Sequence, residues 1–260
     1  MKNYIDKFKI DKNISIVSGG SGGIGKEVCK ALIDGGSYVI LVDKNIDISE
    51  KFIKKINSKY KKNKIEYFYM DSTSVKEIQK FSKYVKKKFN KIDTLVNCIG
   101  ICKNKNAENV NKDEWDDVIS INLNSMFYIC REIGKIFIKQ KKGNIINIGS
   151  NSGLIVDKPQ PQASYNASKA GVHQLTKSLA CEWANYNIRV NAIAPGYVAT
   201  KMTLLGRKKP KWFKLWLEMT PMKRLAKPSE IASVVLFLAS ESSSYCTGSI
   251  ISVDGGYTSW

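Results

Sequence analysis

Histidine is almost absent from this 260-residue chain, since His173 is the only one. A single histidine excludes a zinc site built from several histidines, and it permits a Ser-His-Asp triad only if it lies beside a serine. His173 follows Lys169 by one helical turn, so we expect it to be a packed or interface residue of a helix. The six cysteines form no Cys-x-x-Cys pair, which favours free thiols over a disulfide framework or a metal site. They are Cys29, Cys98, Cys102, Cys130, Cys181 and Cys246.

Long apolar runs are missing as well. No stretch approaches the roughly 20 apolar residues that a membrane-spanning helix requires. The first residues, Met1 to Asp6, lack the apolar core of a signal peptide. The sequence therefore predicts a cytoplasmic protein that has no membrane partner.

Acidic residues are few relative to basic ones. The chain has 23 Asp and Glu against 42 Lys and Arg, which gives a formal net charge of +19. Many lysines stand in runs such as Lys86 to Lys88, a pattern typical of solvated helix faces. Such a charge predicts weak, nonspecific binding to polyanions. Because no zinc finger, aromatic RNA-binding signature or other nucleic-acid reader accompanies the charge, specific nucleic-acid binding is not expected.

A glycine-rich segment, Ser18 to Gly25, stands between a short apolar stretch and a helical pattern. Strand, glycine turn and helix in this order form the setting of a dinucleotide-binding loop. Glycines let the backbone approach a pyrophosphate, and the helix N-terminus supplies free N–H groups. A flexible Gly/Ser turn is the alternative. The next apolar stretch ends in Asp43, at a distance suited to an acid that binds the adenosine ribose; otherwise Asp43 is a turn residue paired with Lys44.

Tyr165 and Lys169 stand four residues apart, so a helix places both on one face. A phenol has a pKa of about 10 and is a poor base near neutral pH. A fixed ammonium beside it favours the phenolate, so we predict that Lys169 lowers the pKa of Tyr165. The phenol then becomes a general acid or base for an alcohol or a carbonyl. Taken alone, the same spacing also describes an exposed helix face without chemistry.

Together these motifs resemble the short-chain dehydrogenase/reductase family over nearly the whole chain. Several further segments match the family's motifs in order: Asp71 after an apolar strand, Asn97-Cys98-Ile99-Gly100, Ile121-Asn122-Leu123, Ser150, Asn191 to Gly196, and Asp254-Gly255-Gly256. Cys98 and Ile99 depart from the family's Asn-Asn-Ala-Gly motif, and Ser18 replaces a threonine. The run of matches in order favours this family over a chance likeness in one loop.

The resemblance implies four catalytic residues and no metal. Tyr165 would be the acid or base, Lys169 would assist it and hold the nicotinamide ribose, and Ser150 would orient the substrate. Asn122 would support a water-linked proton relay. The cofactor would be held by residues from several segments of the chain: Ser18, Gly19, Ser21, Gly23, Ile24, Gly25, Asp43, Asp71, Asn97, Gly100, Tyr165, Lys169, Pro195, Gly196, Val198 and Thr200.

Apolar stretches and helical patterns alternate along the chain. Strands are predicted near residues 14–18, 38–42, 65–70, 93–98, 144–149, 188–193 and 249–253. Helices are predicted near 24–35, 49–59, 74–89, 113–140, 163–185 and 228–240. This alternation predicts one α/β domain over residues 1–260, a Rossmann fold whose parallel sheet has helices on both faces. The connection at about 197–227 breaks the alternation, and in the resembled family it is a lid over the substrate.

The spacing of Ser150 and Tyr165, fifteen residues, is similar to that of NAD-dependent polyol dehydrogenases acting on galactitol, arabinitol and related sugar alcohols. We therefore expect hydride transfer between NAD(H) and a sugar alcohol or ketose in a homotetramer, with NAD(H) preferred over NADP(H) because Asp43 would repel a 2′-phosphate. The alternatives are a 3-oxoacyl carrier-protein reductase using NADPH and a non-catalytic cofactor-sensing scaffold. The basic cluster Arg207 to Lys214 leaves open a phosphorylated or carboxylated substrate.

Overall fold

Seven parallel strands form one sheet in the computed structural model, which describes residues 3–60 and 64–260. The strands are β1 (Ile14–Ser18), β2 (Tyr38–Asp43), β3 (Ile65–Tyr69), β4 (Thr94–Asn97), β5 (Gly143–Ile148), β6 (Ile188–Pro195) and β7 (Ile250–Val253). Their order across the sheet is β3-β2-β1-β4-β5-β6-β7, and each neighbouring pair is parallel. The fold class predicted from the alternating pattern is confirmed.

Helices connect the strands and lie on both faces of the sheet. They are α1 (Gly23–Asp34), α2 (Ile46–Tyr60), α3 (Val75–Lys88), α4 (Lys112–Ile119), α5 (Ser125–Gln140), α6 (Ala163–Trp183), α7 (Lys201–Leu204), α8 (Pro210–Met219) and α9 (Pro228–Ala239). α4 begins with a capping box in which Asn111 and Glu114 bond each other's backbone N–H groups. α8 and α9 begin with proline, whose missing N–H costs nothing in the first helical turn.

Two apolar clusters cover the two faces of the sheet. One includes Val28 of α1 and Leu238 of α9. The other includes Phe81 of α3, Ile129 of α5 and Val172 of α6. Because helices shield both faces, the central strands are runs of buried residues rather than alternating ones.

The direction of the chain across the sheet reverses at β1, which pairs with β2 on one side and β4 on the other. Where the strand order reverses, the connections after two neighbouring strands run to opposite sides and leave a crevice at the carboxyl ends of those strands. Doubly wound proteins bind their ligands in this crevice. The glycine loop follows β1, and Ser150 follows β5 after one residue. The fold therefore brings the predicted motifs to a single edge of the sheet.

The helix predicted near 113–140 contains an interruption. A single π-helical turn, Ser120–Asn124, separates α4 from α5 and holds Asn122. In the connection after Gly196, the helical character predicted around 211–218 corresponds to α8, and α7 precedes it. None of the helices in the described ranges combines the length and the apolar character that crossing a membrane requires.

Candidate active site

A cleft of about 230 Å³ opens where β4, β5 and β6 end. Three of the predicted catalytic residues line it: Ser150, Tyr165 and Lys169. Ten of the predicted cofactor residues line the same cleft: Tyr165 and Lys169 again, with Gly23, Ile24, Gly25, Gly100, Pro195, Gly196, Val198 and Thr200. The other predicted residues lie behind or beside the lining: Ser18, Gly19, Ser21, Asp43, Asp71, Asn97 and Asn122.

Lys169 is held rigidly below the cleft. Its Nζ donates a hydrogen bond of 2.9 Å to the carbonyl of Ile148 at the end of β5. The same Nζ lies 5.7 Å from the centre of the Tyr165 ring, as the four-residue spacing on α6 predicts. Burial lowers the pKa of Lys169 to about 8. This ammonium can therefore exchange a proton close to neutral pH.

The predicted direction of the Tyr165 pKa shift is wrong for the protein without cofactor. Burial raises the pKa of Tyr165, and only the hydrogen bond with Ser150 opposes that shift. The physical reason is that the Lys169 ammonium donates its hydrogen bond to the carbonyl of Ile148. The phenol of Tyr165 is buried, and burial disfavours its charged form. Near neutral pH Tyr165 is therefore a phenol, the form that donates a proton to a carbonyl oxygen.

Ser150 stands where the chain leaves β5 and turns into a short 3₁₀ helix. Its backbone is extended, and its Oγ accepts a hydrogen bond of 3.2 Å from the Ser152 backbone N–H. The same hydroxyl interacts with Tyr165, so the two groups converge on one point of the cleft. A substrate oxygen at that point meets two hydroxyl groups, which is the arrangement required to polarise it and to move its proton.

Asn122 supports the site from behind. Its Oδ1 accepts a hydrogen bond from the Ile101 N–H at 2.8 Å, and its Nδ2 bonds the Ile101 carbonyl and the Ser168 hydroxyl at 2.9 and 3.0 Å. It thus ties the segment after β4 to α6. A Cβ built on Gly100 would lie 3.3 Å from Lys169 Nζ and 3.5 Å from Asn122 Oδ1, so both side chains reach the same backbone position. The proton relay through Asn122 stays a prediction.

The glycine loop has the shape that a dinucleotide requires. Gly19 has a φ of +70°, a region that favours glycine, and a Cβ there would lie 2.9 Å from the carbonyl carbon of Cys98. A Cβ on Gly25 would lie 2.2 Å from Gly19 O. α1 begins at Gly23 without a side-chain cap, so its first N–H groups point into the cleft. The loop therefore fits the pyrophosphate of a nicotinamide dinucleotide.

Asp43 is positioned by the same loop. One carboxylate oxygen accepts a hydrogen bond of 3.1 Å from the Ser21 N–H, and the other accepts one of 2.9 Å from the Asn45 N–H. The carboxylate thus stands at the end of β2, beside the glycine loop and still partly exposed. That place and charge suit contact with the hydroxyls of an adenosine ribose.

The remaining predicted cofactor residues mostly serve the backbone around the loop. Ser18 Oγ donates to Asn97 Oδ1 at 2.8 Å, and both side chains are buried between β1 and β4. Asp71 Oδ1 accepts hydrogen bonds from the N–H and hydroxyl of Thr73, and the backbone bond is the main reason why the pKa of Asp71 is lowered. The side chains of Ser18 and Asn97 therefore hold β1 against β4 at the base of the loop, and their contact with a cofactor stays a prediction.

A polar cluster beside Ser150 was not predicted from the sequence. Asn151 Nδ2 donates to Asp157 at 2.9 Å, Ser152 Oγ donates to the other oxygen of Asp157, and Gln162 Nε2 donates to Ser152 Oγ at 3.2 Å. All four side chains are buried. The only sequence signal was that Asp157 is the single acid between Glu132 and Glu182.

The segment after Gly196 is anchored to the loop that carries this cluster. Tyr197 stacks on Trp216 with ring centres 4.5 Å apart, and Gln160 bonds both rings, the Tyr197 hydroxyl and the Trp216 N–H, at 2.8 Å each. Trp216 is buried, whereas Lys211 and Lys214 on the same helix are exposed. α8 is therefore amphipathic, with this aromatic side chain inward and these charges outward.

The lowered pKa of Lys169 predicts a dependence of stability on pH. An exposed lysine has a pKa of about 10.4, so between about pH 8 and pH 10 the unfolded chain binds a proton that the folded chain has released. Stability from this group therefore rises with pH across that window. We expect the free energy of unfolding of the wild type, relative to Lys169→Met, to increase by up to about 3 kcal/mol between about pH 7 and about pH 10. Urea titrations of both proteins measure it; a constant difference would show that Lys169 stays charged.

Comparisons with known proteins agree with this geometry. A family model described as enoyl-(acyl carrier protein) reductase matches residues 19–258. The galactitol 2-dehydrogenase (L-tagatose-forming) of Cereibacter sphaeroides is 40% identical over 258 residues, covering 99% of this chain and 100% of that protein. The ribulose-forming D-arabinitol 2-dehydrogenase of Scheffersomyces stipitis is 35% identical over 274 residues, covering 99% of this chain and 98% of that protein.

A solved structure extends the likeness to the whole fold. A short-chain type dehydrogenase/reductase from Mycobacterium marinum has a TM-score of 0.92 and 30% identity, covering 98% of this chain and 99% of that one. Matches of this extent cover the sheet, the glycine loop and the Tyr165–Lys169 segment of this chain. The chain belongs to the short-chain dehydrogenase/reductase family.

Proposed function

We propose that this protein is an NAD-dependent dehydrogenase that interconverts a sugar alcohol and the corresponding ketose. The observation that carries the proposal is the convergence of the Ser150 and Tyr165 hydroxyl groups on one cleft, which is also lined by Lys169 and by the glycine loop. Two hydroxyl groups that meet at one point can hold the oxygen of a carbinol or a ketone and move its proton. The names of the relatives, which act on galactitol and arabinitol, support the same substrate class.

Each of three residues in the cleft has a different proposed role in the reaction. In reduction the Tyr165 phenol donates its proton to the carbonyl oxygen of the substrate, and in oxidation the phenolate left by loss of that proton takes the proton of the substrate hydroxyl. Ser150 donates a hydrogen bond to the same oxygen and stabilises charge as it develops there. Lys169, with its pKa near 8, exchanges the proton onward and keeps positive charge below the phenol. A nicotinamide cofactor held in this cleft would supply or accept the hydride.

The glycine loop and the start of α1 are proposed to bind the pyrophosphate of the cofactor. Gly19, Gly23 and Gly25 leave room for the pyrophosphate, and the start of α1 provides N–H donors. Asp43 is proposed to bind the adenosine ribose and to favour NAD over NADP, because a 2′-phosphate would meet its carboxylate. The segment at about 197–227 is proposed to be the lid over the substrate, held at its base by the Tyr197–Trp216 stack.

A panel of substrates tests the proposal. Neutral polyols and ketoses should be compared with phosphorylated sugars, sugar acids and acyl thioesters, each with NAD(H) and NADP(H). We expect turnover of neutral polyols that changes little with salt, because the exposed Lys211 and Lys214 act on a neutral substrate only weakly. Turnover confined to a charged sugar, with a steep salt dependence, would instead favour selection by the basic lid, and turnover confined to an acyl thioester with NADPH would favour the carrier-protein reductase.

We further propose a homotetramer. Trp115 of α4 and Phe127 of α5 are each about two-fifths exposed, and Tyr245 is fully exposed. Tyr128 and Trp183, in contrast, pack against the protein's own core and offer less surface. Exposed aromatic side chains of this size commonly mark an interface. Light scattering at micromolar concentration should give four times the chain mass of 29.2 kDa; a stable and active monomer would reject the proposal.

A further inference from the structure

His173 is wedged between two glycines that flank Ser150. A Cβ built on Gly149 would lie 2.3 Å from His173 Nε2. A Cβ built on Gly153 would lie 2.7 Å from Cε1 and 2.8 Å from Nδ1 of the same ring. Cβ atoms do not approach other atoms so closely, so the imidazole fills the whole space that two alanines would need. The ring thus touches the segment that carries Ser150 on both sides of it.

On α6, His173 lies between two residues that form hydrogen bonds with the end of β5. Lys169, one turn before it, bonds the carbonyl of Ile148. Thr176, one turn after it, accepts a hydrogen bond of 3.0 Å from Asn147 Nδ2. α6 is therefore fastened to the end of β5 by polar contacts on either side of His173. The ring sets the separation of helix and strand at the point where the chain leaves the sheet.

The ring acts through its shape rather than through hydrogen bonds. Within the described residues neither nitrogen of His173 has a partner in acceptable hydrogen-bonding geometry. Burial, together with the nearby Lys169 charge, lowers the pKa of His173 to about 4, so the ring is neutral near pH 7. A neutral and buried ring that lacks a well-formed hydrogen bond contributes mainly by occupying the slot between the helix and the Ser150 segment.

We propose that His173 is a positioning residue that fixes the distance between the Ser150 hydroxyl and Tyr165. Tyr165 and His173 are carried by the same rigid helix, whereas Ser150 is carried by the segment that rests on the ring. Without the ring the segment moves toward α6, and the Ser150 hydroxyl leaves the point on which it converges with Tyr165. The inference rests on the proposed function, because it assigns a role to His173 only through Ser150.

A double-mutant cycle with Ser150 tests this role. His173→Ala should lower kcat by roughly 10- to 100-fold, the loss expected for a displacement of about 1 Å. The KM for NAD should stay within about 2-fold, because the glycine loop is untouched. In a Ser150→Ala background the same change should alter kcat by less than about 2-fold, since there is no hydroxyl left to position.

A matched control separates positioning from loss of packing. Val172→Ala removes a buried side chain from the neighbouring position of α6, and it should lower Tm without any such dependence on Ser150. Gly153→Ala, which would place a Cβ 2.7 Å from the ring, displaces the Ser150 segment in the opposite direction, away from α6, and is a second test of the same distance if His173→Ala does not fold. Gly153→Ala should lower kcat by a similar factor when Ser150 is present, and it should change kcat by less than about 2-fold in the Ser150→Ala background.

Two results would contradict the inference in different ways. Equal loss factors for His173→Ala with and without the Ser150 hydroxyl would reject the positioning role alone. A normal kcat for Ser150→Ala by itself would reject the proposed role of Ser150, and the inference would fall with it.

Discussion

Tyr165→Phe is expected to remove turnover while the protein still binds its cofactor. The variant keeps the ring that Lys169 packs against and loses only the hydroxyl that exchanges a proton with the substrate. Loss of a positioned acid or base costs on the order of 100- to 10,000-fold in kcat. Steady-state rates with a polyol and NAD, together with a fluorescence titration of NADH, measure both parts of the expectation.

Tyr84→Phe is the matched control for this change. It also removes one phenol hydroxyl, here on α3, where it donates a 2.8 Å hydrogen bond to Glu66 of β3 and accepts one of 2.8 Å from Lys88. Its kcat should stay within about 2-fold of the wild type, because surface changes away from the site are usually small. Near-normal turnover of Tyr165→Phe would mean that another group moves the proton.

A preference for NAD over NADP is the second large effect that we expect. Asp43 holds a negative charge beside the glycine loop, and two like charges a few ångströms apart near a protein surface repel by several kcal/mol. The ratio of kcat/KM values should favour NAD by on the order of 100-fold. Asp43→Asn, which keeps the size of the side chain and removes its charge, should reduce that ratio by about tenfold or more.

Asp47→Asn controls for the general loss of a carboxylate in this region. Asp47 is exposed in the first turn of α2, and its removal should leave the cofactor ratio within about 2-fold. The neighbouring Lys44 carries the opposite charge, and Lys44→Met should increase the preference for NAD. A wild-type enzyme that prefers NADP would contradict the assigned role of Asp43.

The sheet and the glycine loop could be predicted from the sequence because local patterns determine them. Buried strands such as β1 appear as apolar runs, and the turn after β1 requires glycine at positions where a Cβ would meet backbone atoms. Gly19, with its positive φ, is one example. The spacing of Tyr165 and Lys169 likewise needs only the geometry of one helix.

Features that depend on burial could not be predicted in the same way. The pKa of Tyr165 is raised because elements distant in sequence exclude water from the cleft, and spacing on α6 contains no information about that. The π-helical turn that holds Asn122 produces no distinct pattern of apolar residues in the sequence, so it could not be told from the helices on either side of it. The contact of His173 with Gly149 and Gly153 depends on how α6 rests on β5, a tertiary arrangement rather than a local one.

The central claim is that hydride passes directly from a carbinol carbon of a sugar alcohol to NAD. The most direct measurement uses the polyol that the panel identifies, with deuterium on the carbon that is oxidised, and mass spectrometry of the reduced cofactor. We predict NADH that carries one deuterium, a ketose that has lost it, and neither product from Tyr165→Phe. Reduced cofactor without deuterium, or no reduction with any sugar alcohol while an acyl thioester consumes NADPH, would contradict the account.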